Sequence, residues 1–425
     1  MSADEQVFVI VGASLAGARA AEALRAEGFT GRVLLIGQED EVPYERPPLS
    51  KGFLQGKDPR EKAYVHPREW YAEQDIELML GRRALAVNPA ARTVTLDGDE
   101  LFAYDKLLLA TGSKVRTLDV PGADVAGIHY LRAYPDSAAL REALTADPRP
   151  QVLVVGAGWI GLEIAAAARG YGCPVTVVET DSAPLRRVLG DELAALFQAL
   201  HEANGVEFRF GTGVREFGSL DGAVRSAVLD DGTELATDLV AVGVGIRPVT
   251  ELAEQAGLTV DNGVVTGAGF LTSDPHIYAC GDVASTLNPL VGKHLRTEHW
   301  ANARAGGKAA GKAMAGQEVS YAQVPYFFTD QYDLGMEYCG WAGPGDYARV
   351  VFRGDPTVRD GKAPEVIAFW LTDDNRVVAA MNINIWDVQD DLNALVKAGF
   401  SGTPADPARL TDPSVPLPEV LAQKS

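Results

Sequence analysis

Short apolar runs stopped by glycine alternate with alanine-rich stretches of helical spacing through the first 250 residues. Val7–Val11 is the first run, and Gly12-Ala13-Ser14-Leu15-Ala16-Gly17 follows it and opens an alanine-rich helix. Val33-Leu34-Leu35-Ile36 reads as the next buried strand by length and apolarity. The order recurs one domain length later. Val152–Val155 leads into Gly156-Ala157-Gly158-Trp159-Ile160-Gly161, a second alanine-rich helix and the strand Val175-Thr176-Val177-Val178. Between the two units the pattern predicts a loop rich in proline and charge and a helical stretch over Glu69–Gln74. Short strands near Glu77–Leu80, Ala84–Val87 and Thr93–Leu96 follow, then the buried strand Lys106–Ala110. The second unit closes on Asp238–Val242. A helix is expected from Trp300 to Ala315. Aromatic and β-branched segments (Tyr326–Phe328, Tyr347–Phe352, Val366–Leu371, Val377–Ile383) then predict an antiparallel sheet with one helix near Asp391–Ala398. After Gly402 come Pro404, Pro407, Pro413, Pro416 and Pro418, which predict an extended, partly disordered tail.

A glycine-rich turn between a strand and a helix is the context in which backbone N–H groups hold a dinucleotide pyrophosphate. Ser14 stands where the second turn has Gly158, and a small hydroxyl still lets phosphate approach. Each turn is followed by an acid after the next strand, Glu39 (beside Gln38) and Glu179, placed to meet an adenosine ribose. A carboxylate at Glu179 favours NADH over NADPH, because it repels a 2′-phosphate. Arg186 and Arg187 lie close behind and argue the other way, unless they hold pyrophosphate or face solvent. Gly281-Asp282, after a short apolar strand, fits a second flavin contact, an acid for a ribityl hydroxyl, or an ordinary strand-end turn. Two such turns in one chain suggest a protein that holds two dinucleotides and moves electrons between them.

The length of 425 residues allows about three domains. A net charge of −20 disfavours nucleic acid and anionic membrane as partners. No apolar run approaches the length of a bilayer span, and the acidic N-terminus is no signal peptide, so the expected location is cytoplasmic. Cys173, Cys280 and Cys339 form no C-x-x-C pair and the histidines are scattered, so neither a disulfide framework nor a metal site is expected.

Further segments carry a resemblance: Val42-Pro43-Tyr44-Glu45-Arg46-Pro47-Pro48-Leu49-Ser50-Lys51, Ala110-Thr111-Gly112-Ser113, Gly161-Leu162-Glu163, Gly281-Asp282 and Phe328-Thr329-Asp330-Gln331-Tyr332. Together, over residues 6 to about 400, the chain resembles the FAD- and NAD-dependent ferredoxin reductases of bacterial oxygenase systems. The resemblance implies an α/β fold with two Rossmann-like dinucleotide-binding domains, glutathione-reductase-like, plus a C-terminal α+β domain. The expected boundaries are 1–112 with 244–321 for FAD, 113–243 for NAD and 322–425 for the third domain. It implies FAD contacts at the first turn (Gly12, Ser14, Ala16, Gly17), Gln38, Glu39, Arg46, Lys51, Ala84, Ala110, Thr111, Gly112, Arg132, Asp282 and Glu298-His299-Trp300. It implies NAD contacts at Gly156, Gly158, Ile160, Gly161, Glu163, Glu179, Arg187 and Gly243. Lys51 lies near flavin N5 in this reading and faces Glu163. Phe328 stands where some relatives have tryptophan.

The implied activity is hydride uptake from NADH by FAD and one-electron delivery to a [2Fe–2S] ferredoxin that serves a cytochrome P450 or a Rieske dioxygenase. Such a partner is expected to be acidic. Arg304, Lys308 and Lys312, spaced i, i+4, i+8, would give it a basic stripe on one helix face, unless that face is merely solvated. A monomer or weak dimer is expected. Two alternatives remain: a related enzyme with another acceptor (rubredoxin, a quinone or dioxygen), and an NADH-sensing interaction protein like apoptosis-inducing factor.

Overall fold

The computed structural model describes residues 6–421; the acidic leader read from residues 1–5 lies outside them. The chain divides into two compact units. Unit 1 comprises 1–46, 60–114 and 247–325; unit 2 comprises 47–59, 115–246 and 326–425.

Unit 1 is built on a parallel sheet whose strands run in the order Ile277–Ala279, Lys106–Leu109, Val7–Val11, Arg32–Ile36, Ile76–Met79. Both faces of such a sheet are covered, which is why its strands read as continuous apolar runs. One face carries helix Leu15–Ala26, and helix Trp300–Met314 lies against that helix. A Cβ at Gly307 would sit 2.3 Å from the Ala16 carbonyl oxygen, so only glycine lets these helices touch backbone to backbone. The other face is covered by an antiparallel sheet of Ala84–Asn88, Thr93–Leu96 and Leu101–Ala103, through Val87, Val94 and Leu96.

Unit 2 repeats the parallel sheet in the order Val206–Phe210, Val175–Glu179, Val152–Val155, Leu239–Val242, Ile128–Tyr130. A small antiparallel sheet (Val214–Leu220, Ala223–Leu229, Glu234–Ala236) covers one face. A five-stranded antiparallel sheet follows in the order Tyr326–Gln331, Leu334–Gly340, Val377–Ile383, Val366–Leu371, Arg349–Arg353, with helix Gln389–Phe400 after it. Its inner residues, including the fully buried Trp370, share one apolar core with helix Trp159–Gly170. The loop 47–59 joins unit 2 by specific bonds. Ser137 Oγ donates to the Leu49 carbonyl at 2.6 Å and Tyr171 OH to the Leu54 carbonyl at 2.9 Å.

The expected fold class is therefore the one observed. Two local expectations need correction. The stretch after Gly402 is not extended, because Leu410, Leu417 and Val420 are buried and draw it into helix Pro407–Thr411 and a short turn at Leu417–Glu419. Strand Leu334–Gly340 was not expected, since its six interior and terminal apolar or glycine positions flank a single acid and show no alternation.

Candidate functional site

The two glycine turns are the same object built twice. Gly12 has φ +124° and Gly156 φ +100°, a region closed to most side chains. A Cβ at Gly12 would stand 2.1 Å from the Ala110 carbonyl oxygen, and one at Gly156 2.5 Å from that of Gly243. A Cβ at Gly17 or Gly161 would each stand 2.0 Å from the carbonyl oxygen of its own Gly12 or Gly156. This ties Ala110 and Gly243 to the turns by contact. Thr111 anchors the neighbouring segment by donating to the Val249 carbonyl at 2.8 Å.

Neither helix that follows, Leu15–Ala26 or Trp159–Gly170, receives a side-chain cap at its N-terminus. A Cβ at Gly158 would meet nothing within 4 Å, so open space lies before the second turn. Uncapped N–H groups facing open space at a positive helix end fit a pyrophosphate. Both turns thus suit a dinucleotide.

The acids behave differently. In unit 1, Glu39 accepts from Tyr44 OH at 2.6 Å and from Arg46 Nη2 at 2.8 Å. Burial opposes the Arg46 charge, but Tyr44, Glu39 and Asp282 outweigh it and hold the guanidinium above its ordinary value. The structure thereby gathers Glu39, Arg46 and Asp282 around one charge. In unit 2, Glu179 accepts from the N–H of Ala157, within the turn itself, at 2.7 Å, and from the N–H of Asp181 at 2.9 Å. Arg187, expected at the second dinucleotide, is ion-paired to Asp181 at 3.0 Å.

Lys51 and Glu163 do meet. Lys51 Nζ lies 2.6 Å from Glu163 Oε1, and 5.3 Å from the centre of the Phe328 ring. Glu163 is 3% exposed, so its charge must be answered from within. Ser50 Oγ donates to Oε2 at 2.5 Å and Thr329 Oγ1 to Oε1 at 2.6 Å. Neither partner was singled out from sequence, although both lie inside segments that carry the resemblance.

Behind Thr329 a buried chain continues. Gln331 Nε2 donates to Thr329 Oγ1 at 3.1 Å, Gln331 Oε1 lies 2.8 Å from His201 Nε2, and Tyr332 OH lies 3.1 Å from His201 Nδ1. The carboxylate fixes every direction. Thr329 spends its proton on Glu163, so Gln331 must donate to Thr329; His201 then donates from Nε2 and accepts from Tyr332 at Nδ1. Burial pulls His201 down to about 4, so it is neutral. A lone histidine on an apolar helix face gives no signal of this role in sequence.

Other expected residues fall as follows. Ala84 begins an edge strand of the small sheet in unit 1. Gln38 is exposed. Arg132 in unit 2 directs its backbone N–H to Asp136 at 2.9 Å. Glu298 pairs with Arg296, and His299 occupies the N-cap position of helix Trp300–Met314 without a side-chain capping bond, its imidazole pulled down to about 4 by desolvation. Arg304 stacks 5.2 Å over the Trp300 ring. Arg304 and Lys308 are exposed, whereas Lys312 is half-buried against Glu27 at 3.3 Å. Ile160 is exposed at the second helix start. All three cysteines are buried and free; burial pushes the Cys280 and Cys339 thiols up to about 12. Among the described residues no helix is long and apolar enough to cross a membrane.

Residues 7–307 match the family described as pyridine nucleotide-disulphide oxidoreductase, and residues 326–421 match the reductase C-terminal family. The chain is 40% identical over 421 residues to the ferredoxin–NAD(+) reductase component of the anthranilate 1,2-dioxygenase system of Burkholderia cepacia, spanning 99% of this chain and 100% of that protein. It is 36% identical to putidaredoxin reductase of Pseudomonas putida, over 99% and 98% of the two chains. The solved covalent putidaredoxin reductase–putidaredoxin complex superposes with a TM-score of 0.90 at 35% identity, over 98% of each chain.

Proposed function

The chain belongs to the pyridine nucleotide-disulphide oxidoreductase family, and from that premise we propose that it is an FAD-dependent NADH:ferredoxin reductase serving an oxygenase. The observation that carries this reading is the doubled turn: two uncapped helix N-termini, each behind a glycine whose side chain is forbidden. FAD and NAD(H) are its cofactors. When bound, FAD would supply the uptake of hydride from NADH and the release of single electrons, chemistry that no side chain offers.

The protein's part is to bind and orient. We assign FAD to 1–112 with 244–321 and NAD to 113–243, with 322–425 as a third domain. The first turn, with Glu39, Arg46, Asp282 and the Glu298-His299-Trp300 segment, is assigned to FAD. The second turn and Glu179 are assigned to NADH. Lys51 and Glu163 are assigned to the reacting ends of the two cofactors, where Ser50 and Thr329 keep the carboxylate in place. The cysteines supply no internal acceptor, since all three are buried, apart and protonated at neutral pH. Electrons must leave for another molecule.

For that molecule we propose a [2Fe–2S] ferredoxin docking at Arg304 and Lys308. Arg304 supports this choice because it stacks on Trp300, a residue assigned to the flavin. Lys312 contributes less, its charge being answered by Glu27. The protein is placed in the cytoplasm on the same reading.

The test is anaerobic. The flavin is bleached with NADH, oxidised [2Fe–2S] ferredoxin is added, and the return of flavin absorbance is timed. Return within a turnover time is the expected result. A flavin that stays bleached, with a long-wavelength charge-transfer band, overturns the ferredoxin reading and favours another acceptor or an NADH sensor.

A further inference from the structure

The two arginines behind Glu179 pose a question of coenzyme choice. A guanidinium near an adenosine ribose is the usual partner for a 2′-phosphate. Here neither is free to play that part. Arg186 Nη1 donates to Asp181 Oδ1 at 3.4 Å, and Arg187 Nε to Asp181 Oδ2 at 3.0 Å. Arg186 Nε also donates to Asp191 Oδ1 at 2.5 Å.

Asp181 is the fixed member of this group. The N–H of Ser182 donates to its Oδ1 at 2.7 Å, and its own N–H donates to Glu179 Oε1 at 2.9 Å. Its side chain is 15% exposed, against 77% for Arg187. The Ser182 N–H and the two guanidinium groups hold its carboxyl below the usual aspartate range. The acid is anchored to the turn, and the arginines are anchored to the acid. Glu179, Asp181 and Asp191 also outnumber Arg186 and Arg187 in charge, so the segment as a whole repels a phosphate dianion.

We propose that Asp181 is a specificity-determining residue that excludes NADPH, by holding Arg186 and Arg187 away from a 2′-phosphate and adding its own charge to that of Glu179. The proposal rests on the NADH reading given above. Glu179 alone would discriminate by repulsion at one carboxylate. Asp181 makes the discrimination double, because it also withdraws the only two cations of the segment.

Asp181→Asn tests this with little disturbance, since the amide oxygen still accepts from Ser182 N–H while the charge is lost. Calorimetric titration of the flavin-loaded protein with NAD⁺ and NADP⁺ reads binding without turnover. The expected result is a five- to tenfold tighter NADP⁺ complex, an NAD⁺ complex changed less than twofold, and loss of most of the gain when Arg186→Ala and Arg187→Ala are added to Asp181→Asn. Equal changes for both coenzymes, or none, overturn the proposal. So does a gain for NADP⁺ that is undiminished by Arg186→Ala together with Arg187→Ala. A wild-type protein that binds NADP⁺ and not NAD⁺ overturns the NADH reading itself, and the role of Asp181 with it.

Discussion

The two nucleotide units share a backbone and differ in what their acids do. Val11 pairs with Ile36 in unit 1 as Val155 pairs with Val178 in unit 2. By this register Gly37 corresponds to Glu179, and Glu39 corresponds to Asp181. A Cβ at Gly37 would lie 2.6 Å from that of Ala13, so the first turn leaves no room for a side chain at this place. The second turn has a carboxylate at that place, bonded to the N–H of Ala157, the counterpart of Ala13. Three residues beyond the strand pairing, both units place an arginine-holding acid: Glu39 takes Arg46, and Asp181 takes Arg186 and Arg187. Approximate spacing from a glycine turn (27 residues from Gly12 to Glu39, 23 from Gly156 to Glu179) is thus a poor guide to equal role; the strand register is a better one.

The most severe way to break the comparison is at the turns. Gly17→Ala and Gly161→Ala each force a Cβ against a carbonyl oxygen. The first should yield protein purified without yellow colour. The second should yield yellow protein whose flavin NADH reduces at least a hundredfold more slowly. Absorbance spectra and stopped-flow bleaching separate the two, and the same phenotype from both would refute the division of labour.

Next come the ion pairs. Breaking a buried pair strands a charge, at a cost of about 3 kcal/mol or more. Glu163→Gln should therefore lower unfolding free energy by about 3 kcal/mol in urea titration. Glu39→Gln in unit 1, where the partners are 25% and 40% exposed, should cost about 1 kcal/mol. Equal losses would deny the contrast in burial.

Acid should expose the histidines. The folded value of His201 is about 4, below the ordinary 6.5, so the unfolded chain takes up a proton first. Its contribution is complete above pH 6.5 and is lost as pH falls toward 4, up to about 3 kcal/mol. His201→Gln should flatten the stability profile over that window, leaving the share due to His299 in unit 1. A profile unchanged by the substitution would place the acid sensitivity elsewhere.

The smallest effect is expected at the surface. Lys308→Glu should raise the apparent KM for ferredoxin about three- to tenfold at low salt and leave NADH-driven bleaching unchanged. An unaltered KM would remove this helix from the docking face.

Much of the fold was legible because the turn signature is local: strand, glycines and helix lie within about 20 residues, and the signature occurs twice. The pairing of Lys51 with Glu163, 112 residues apart, came only through the resemblance, since no local rule joins them. What stayed hidden depends on register or burial. Asp181 is one of 58 acids until strand pairing aligns it with Glu39. His201 is an apolar-face histidine until Gln331 is brought against it. The tail after Gly402 reads as loose because prolines dominate it locally, whereas three scattered apolar residues, Leu410, Leu417 and Val420, decide its place.

The hydrogen-bond chain from Tyr332 to Glu163 has a consequence for anyone wishing to dissect the protein. Its five members come from a helix that begins at Trp159, a helix that begins at Asp191 and one edge strand with its turn, Tyr326–Tyr332. All its donors point one way, so no member can be reversed singly. A fragment ending at residue 321 would expose His201 and leave Glu163 without Thr329. A chimera that exchanges the C-terminal sheet must carry Thr329, Gln331 and Tyr332 with it. The last hundred residues are not a detachable module, and a sheet brought in from another chain must find a matching His201 and Glu163 in its new host.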